Sequence, residues 1–225
     1  MTQTLRVAVC LYPGVTTLDY QGPVELLGML SAKNREHAAL ATAGIHIPDV
    51  TIEFTYLSHT LEPVEPIAGP PVVPSLTYEN AKEQFDIVLI PGGMYNAASR
   101  GACAEFIKKQ AAGAKHILSV CTGSLILART GLLSGKRATT NKFAFRMVQE
   151  ETKDLGVIWV PKARWVVTED KKIWTASGIT AGADMAGGFL DYLIGKDGGY
   201  RLRSFIELSM KTEEDDEFAA YHGLV

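Results

Sequence analysis

Cys121 stands between a short apolar run, Ile117 to Val120, and a second stretch in which Leu125, Ile126 and Leu127 suit the buried face of a helix, with Gly123 in the turn. A strand-length run that breaks at a nucleophile and passes through small residues into a helix is the pattern of the strand-to-helix elbow of α/β enzymes. A thiol on such a turn meets unpaired N–H groups and the positive end of the helix dipole. Both favour thiolate and bring a Cys pKa of about 8.5 towards ~4–7. The competing expectation is a buried structural thiol, because free Cys is among the most buried residue types. A second feature is Pro91-Gly92-Gly93 directly after the apolar run Phe85 to Ile90. Two glycines there let the backbone approach a ligand or another loop closely and leave N–H groups to point at an anion. No GxGxxG or GxxxxGK[ST] phosphate loop is present.

The elements that must position these residues follow from periodicity. Leu5 to Tyr12 is a nearly continuous apolar run closed by Pro13 and Gly14, as a central parallel strand reads. Thr16, Thr17 or Asp19 can cap the next helix, whose apolar face holds Val24, Leu26, Leu27, Met29 and Leu30, and Pro23 is tolerable only in its first turn. Val50 to Leu57 alternates as a strand. Glu62 to Pro74, with five of the ten prolines, is expected as extended segments or an edge hairpin. Ala102 to Ala112, Phe143 to Glu151, Gly178 to Ile194 and Tyr200 to Met210 read as helices. Arg137 to Thr140, Val157 to Val160, Trp165 to Thr168 and Ile173 to Ala176 read as strands. The acidic run Glu213 to Glu217 is expected as a solvated tail. Strands alternating with helices argue for a parallel sheet covered on both faces by right-handed crossovers. Ligands then gather beyond the carboxyl ends of the strands, where the loops after Tyr12, Ile90 and Val120 converge.

The totals exclude several classes. A chain of 225 residues with net charge −3 carries no electrostatic footprint for nucleic acid or an anionic membrane. Its apolar runs are strand-sized, so no membrane span is expected, and the start has no charged leader before an apolar core, which makes the cytoplasm the expected compartment. Cys10, Cys103 and Cys121 are too few and too scattered for a disulfide framework. The five histidines show no metal-ligand spacing, so neither a metal nor another cofactor is expected. One domain over 1–225 is the expected organisation.

Four blocks, LDYQGPVELL (18–27), PGG (91–93), SVCTGSLILARTGLLSGKRATT (119–140) and ASGITAGADM (176–185), resemble in order and spacing the ThiJ/PfpI superfamily, and within it the isonitrile hydratase branch. The resemblance implies a flavodoxin-like three-layer sandwich with a mostly parallel central sheet. It further implies a homodimer, a cofactor-independent hydratase of the lyase class and a small electrophilic substrate. Its reactive set falls on Asp19, Cys121 and Thr122. Its oxyanion donors fall on the N–H groups of Gly93 and Thr122, and the neighbouring substrate contacts on Gly92, Gly178 and Ile179. In this reading a Cys121 thiolate adds to the terminal carbon of an isonitrile and Asp19, with a raised pKa, delivers the proton. Simple helix capping is the plainer role for both Asp19 and Thr122. Glu25, six residues beyond Asp19, is a rival carboxylate that helical rotation alone does not separate from it. Glyoxalase- and protease-type relatives carry a His directly after the elbow Cys, where this chain has Thr122. His116 starts the preceding strand, ~13 Å away, too far to replace it. The chain departs from the pattern at Asn141, where many hydratase-like members have His, and in the length of the Pro-rich stretch. The alternatives are an oxidation sensor using the same thiol and a glyoxalase- or deglycase-like activity. A transcriptional regulator would need a further DNA-reading domain.

Overall fold

The computed structural model describes residues 3–35, 49–94 and 97–225. The apolar runs form a seven-stranded sheet in the order β3-β2-β1-β4-β5-β9-β8. Its strands are β1 (Gln3–Cys10), β2 (Val50–Ser58), β3 (Leu76–Thr77), β4 (Ile87–Ile90), β5 (His116–Val120), β8 (Trp165–Val167) and β9 (Ile173–Ala176). All neighbours are parallel except β8, which returns antiparallel along β9, with Trp165 opposite Ala176. β6 (Arg137–Ala138) and β7 (Ile158–Trp159) form a separate parallel pair. The central strands β4 and β9 are buried at every residue, as expected of strands covered on both faces. The architecture is the flavodoxin-like α/β arrangement, with the sheet at the centre of one apolar core and helices around it.

The helices are α1 (Thr17–Gly28), α2 (Ala32–Arg35), α3 (Ala97–Ala111), α4 (Gly123–Arg129), α5 (Phe145–Glu151), α6 (Thr180–Ile194), α7 (Lys196–Phe205) and α8 (Phe218–Tyr221). α1 packs on α6, where a Cβ on Gly22 would lie 3.2 Å from the Ala183 methyl carbon, and α6 approaches β5 so closely that a Cβ on Gly182 would meet Val120 at 2.6 Å. The part of the weak stretch after Ala41 that spans 41–48 lies outside the described residues.

Three expectations need correction. Pro23 sits inside α1, not in its first turn, because the helix starts at Thr17. An interior proline costs ~3 kcal/mol. The start is fixed by contacts distant in sequence: Thr16 N–H donates to Gly92 O at 2.9 Å, Thr17 Oγ1 donates to Ala68 O, and the Asp19 carboxylate accepts from Gly92. Bonds of about 1 kcal/mol each, more where one partner is charged, are together of the size needed. The helix expected over Tyr200 to Met210 instead spans Lys196–Phe205. The acidic run is not simply solvated: the Asp216 side chain is 2% exposed and pairs with Lys142, itself 3% exposed, at 2.9 Å. Its Oδ1 also accepts the Phe218 N–H that opens α8. Within five consecutive acids, nothing local marks the one that is buried. The Pro-rich stretch is extended as expected, with an antiparallel bridge between Val64 and Val72, and it lies against the loop after β1 through Gly14 N–H to Glu65 O.

Candidate active site

Cys121 has φ 58°, a left-handed conformation that costs a non-glycine residue on the order of 1–3 kcal/mol and persists only where the surroundings over-determine it. Here they do. Its N–H donates to Ala176 O at 3.1 Å and Ser177 O at 2.7 Å, while its carbonyl accepts from Ser124 Oγ at 3.0 Å and Thr140 Oγ1 at 3.1 Å. The strand enters, the chain reverses hand at Cys121, and α4 leaves. This turn is possible because Gly123 lies so close to β4 that a Cβ there would stand 2.3 Å from Ile90 O.

The loop after β4 closes on the same point. A Cβ on Gly92 would be 2.7 Å from Cys121 Cβ and 2.6 Å from Thr122 N, so only glycine fits. The Gly92 N–H donates to Asp19 Oδ2 at 2.9 Å, and the Gly93 N–H donates to Thr122 Oγ1 at 3.1 Å. Asp19 therefore does not cap α1: its carboxyl reaches across to the next loop and is fully buried, whereas Glu25 is exposed. Asp19 Oδ1 is buried and lacks a hydrogen-bond partner, with the Cys121 thiol the neighbour that acts on the carboxyl.

Burial pushes the Asp19 carboxyl up to about 7 against the lowering effect of the Gly92 N–H and the thiol. The thiol moves opposite to expectation. Burial first, then the Asp19 charge, push Cys121 up to about 12, and the hydrogen bonds from Thr122 and Asn141 only moderate it. The helix-terminus argument fails because Cys121 is 8% exposed and faces an acid: at neutral pH the sulfur carries a proton that the carboxylate beside it is placed to take.

The structure brings Asp19, Gly92, Gly93, Cys121 and Thr122 together. The Gly93 N–H proposed as an oxyanion donor is engaged by the Thr122 hydroxyl. Gly178 approaches the site through Asn141, whose Nδ2 a Cβ on Gly178 would meet at 2.9 Å, while Ile179 lines a cavity together with Asn141. Ile179 has φ 27° where α6 begins. Asn141 is the residue that sequence reasoning passed over: its Oδ1 accepts the Ala144 N–H at 3.1 Å, which turns its amide N–H groups towards the sulfur. The departure from the family pattern at that position was the available signal. His116 lies at the opposite end of β5, against the Phe189 and Tyr192 rings. Among the described residues no three His, Cys, Asp or Glu side chains form a group suited to a metal, and no helix is long and apolar enough to cross a membrane.

A mostly parallel α/β sheet with a strained cysteine elbow set against a buried carboxyl defines a class of α/β proteins that hold a thiol beside an acid at the carboxyl edge of the sheet. Within that class the chain belongs to the DJ-1/PfpI family, whose sequence model matches residues 5–191. It is 35% identical over 199 residues to an isonitrile hydratase from Pseudomonas putida, covering 86% of this chain and 74% of that one. The crystal structure of a ThiJ/PfpI family protein from Pseudomonas syringae superposes with a TM-score of 0.75 at 26% identity, over 93% of this chain and 77% of the other. Drosophila melanogaster DJ-1beta shares the fold, with a TM-score of 0.68 at 18% identity, over 92% of this chain and 100% of that one.

Proposed function

We propose that this protein is a cysteine-dependent hydratase that converts an isonitrile to an N-substituted formamide. The observation that carries the reading is the buried pair at the elbow, one thiol against one carboxyl whose pKa is about 7. Such a pair holds one proton between two groups and suits a nucleophile that must lose a proton as it attacks. The Cys121 sulfur forms a bond to the terminal carbon of R–N≡C, and its proton passes to Asp19. The carboxyl delivers that proton to the same carbon, leaving the thioimidate R–N=CH–S–Cys121. Asp19, again a carboxylate, takes a proton from water as the oxygen adds to this carbon. The proton goes to nitrogen, and as the C–S bond breaks the hydroxyl of the adduct gives up its proton, through Asp19, to the sulfur, so that R–NH–CHO leaves. Thr122 and Asn141 hydrogen-bond the sulfur as charge grows on it. The similarity to the Pseudomonas putida isonitrile hydratase supports the choice of substrate. A homodimer belongs to the same proposal, and sedimentation at twice the single-chain mass tests it.

The deciding experiment measures formamide production from an alkyl isonitrile by wild type, Cys121→Ala and Asp19→Asn. The reading requires turnover by wild type and its loss, by at least about 10³-fold, in Cys121→Ala. Turnover retained in Cys121→Ala rejects nucleophilic catalysis. A peroxide-sensing role gains less support, because a thiol pushed up to about 12 is a poor thiolate at neutral pH.

A further inference from the structure

β4 ends at Ile90 and Pro91 has no N–H, so the first donor of the following loop is the Gly92 N–H, which reaches Asp19 Oδ2 at 2.9 Å. The other end of the same peptide unit is also engaged. The buried Tyr12 hydroxyl, in the loop after β1, donates to Pro91 O at 2.8 Å across 79 residues of chain. In a trans peptide the carbonyl and the N–H point in opposite directions, so the Pro91–Gly92 plane is held from both sides. The loop that carries Tyr12 grips Gly92 a second time, through Thr16 N–H to Gly92 O at 2.9 Å. The start of α4 crowds the same carbonyl: a Cβ on Gly123 would stand 2.8 Å from Pro91 O.

A carbonyl that accepts a hydrogen bond draws electron density from its peptide nitrogen and makes the attached N–H a better donor. In a buried chain each bond is strengthened by roughly 10–30%. Burial pushes the Asp19 carboxyl up to about 7, and the Gly92 N–H is the foremost influence holding it down. We propose that Tyr12 is a positioning residue for the acid–base chemistry: through the Pro91–Gly92 peptide, its hydroxyl aims the Gly92 N–H at Asp19 and favours the carboxylate. The inference rests on Asp19 being the acid and base of the hydratase reading, and deepens that reading by naming what regulates the acid. Among the described residues, the titratable groups that act on the pair are the Cys121 thiol beside Asp19 and the Tyr78 phenol beside Tyr12. Burial first of all pushes the thiol up to about 12 and the phenol well above its ordinary range, so neither changes charge around pH 7. On α6, which packs on α1, Asp184 is paired with Arg164 and Asp191 with Arg203, while Glu25 of α1 and Glu65 of the Pro-rich segment are exposed.

The test follows the Asp19 carboxyl itself by carbon-13 NMR from pH 5 to 9, with its signal assigned by its disappearance in Asp19→Asn. Wild type is compared with Tyr12→Phe and Tyr78→Phe. Tyr78 is the control, because its hydroxyl donates to Leu11 O at 2.8 Å, an equally buried phenol-to-carbonyl bond on a different peptide. Tyr12→Phe is expected to raise the midpoint from about 7 by about half a pH unit, and Tyr78→Phe to leave it in place. Replacing Tyr12 by 3-fluorotyrosine, a stronger donor of nearly the same shape, is expected to lower it. No wild-type midpoint in this range, an unmoved midpoint in Tyr12→Phe, or equal shifts in the two phenylalanine variants overturns the proposal. Should Tyr12→Phe fail to fold, the fluorotyrosine protein decides: a midpoint that stays or rises overturns it. The second readout is isonitrile turnover, where kcat/KM of Tyr12→Phe is expected to fall about threefold at pH 6 and to stay within about twofold of wild type at pH 9. Equal losses at both pH values mark a merely structural role and also overturn it. No turnover by wild type sinks the hydratase reading and leaves the carboxyl titration to judge Tyr12. Turnover with an unmoved carboxyl midpoint sinks the Tyr12 assignment alone.

Discussion

The Asp19–Cys121 pair works through the proton it shares, and two predictions belong to it. The competent state holds one proton, so kcat/KM for an isonitrile rises with pH through about 7, where Asp19 ionises, and stays level to pH 9 because the thiol titrates only near 12. A steady fall between pH 7 and 9 would contradict the pairing. The second concerns stability. The folded pKa of Asp19 lies above its ordinary 3.8, so ionisation opposes folding: the contribution of the neutral acid is full below about pH 4 and is lost as pH rises through about 7. Asparagine does not ionise. Thermal melts of Asp19→Asn against wild type should therefore move in favour of the variant between pH 4 and pH 8, by up to about 4 kcal/mol, while activity collapses. A pH-independent difference would mean that Asp19 is ionised throughout.

At the level of elements, the site is a three-way junction of the ends of β1, β4 and β5, and the tolerance at that junction is below one methyl group. Gly92 has no φ constraint that demands glycine, so its requirement is purely one of space against Cys121 and Thr122. Gly92→Ala is expected to cost about 1–3 kcal/mol in denaturant unfolding and to lower kcat/KM by at least ~100-fold, because the loop must retreat and carry the Asp19 contact with it. An activity within twofold of wild type would show that the two loops are not tightly apposed. The Pro-rich segment takes part in the same geometry: it ties to the β1–α1 loop through Gly14, Val15 and Thr17, and so helps hold the first turn of α1 where Asp19 reaches Gly92.

For the whole molecule, the chain returns at its C-terminal end to the site it built earlier. Asp216 is buried against Lys142, Lys142 Nζ donates to Ala163 O at 2.7 Å, and Arg164 N–H donates to Glu213 O at 2.7 Å, so two distant segments, tied to each other, are pinned to the loop that carries Asn141. Removing one member of a buried pair leaves the other uncompensated, at a cost of about 3–5 kcal/mol. Asp216→Ala is therefore expected to lower stability by that order in equilibrium unfolding, and Lys142→Met combined with Asp216→Leu to recover part of it. Equal losses in the single and double variants would show that the pair is not the fastening.

The sequence by itself determined the α/β class, the central strands and the elbow, because continuous apolar runs such as Phe85 to Ile90 and the break at Cys121 are local patterns that burial enforces residue by residue. Family resemblance singled out Asp19 among the possible carboxylates. Only the tertiary structure decided which way that carboxyl points, that the neighbouring sulfur holds its proton, that Pro23 falls inside a helix, that Asn141 donates to the thiol, and that one acid of an acidic run is buried. Each of these depends on groups tens of residues away along the chain, whose desolvation and hydrogen bonds outweigh the local preferences that a sequence displays.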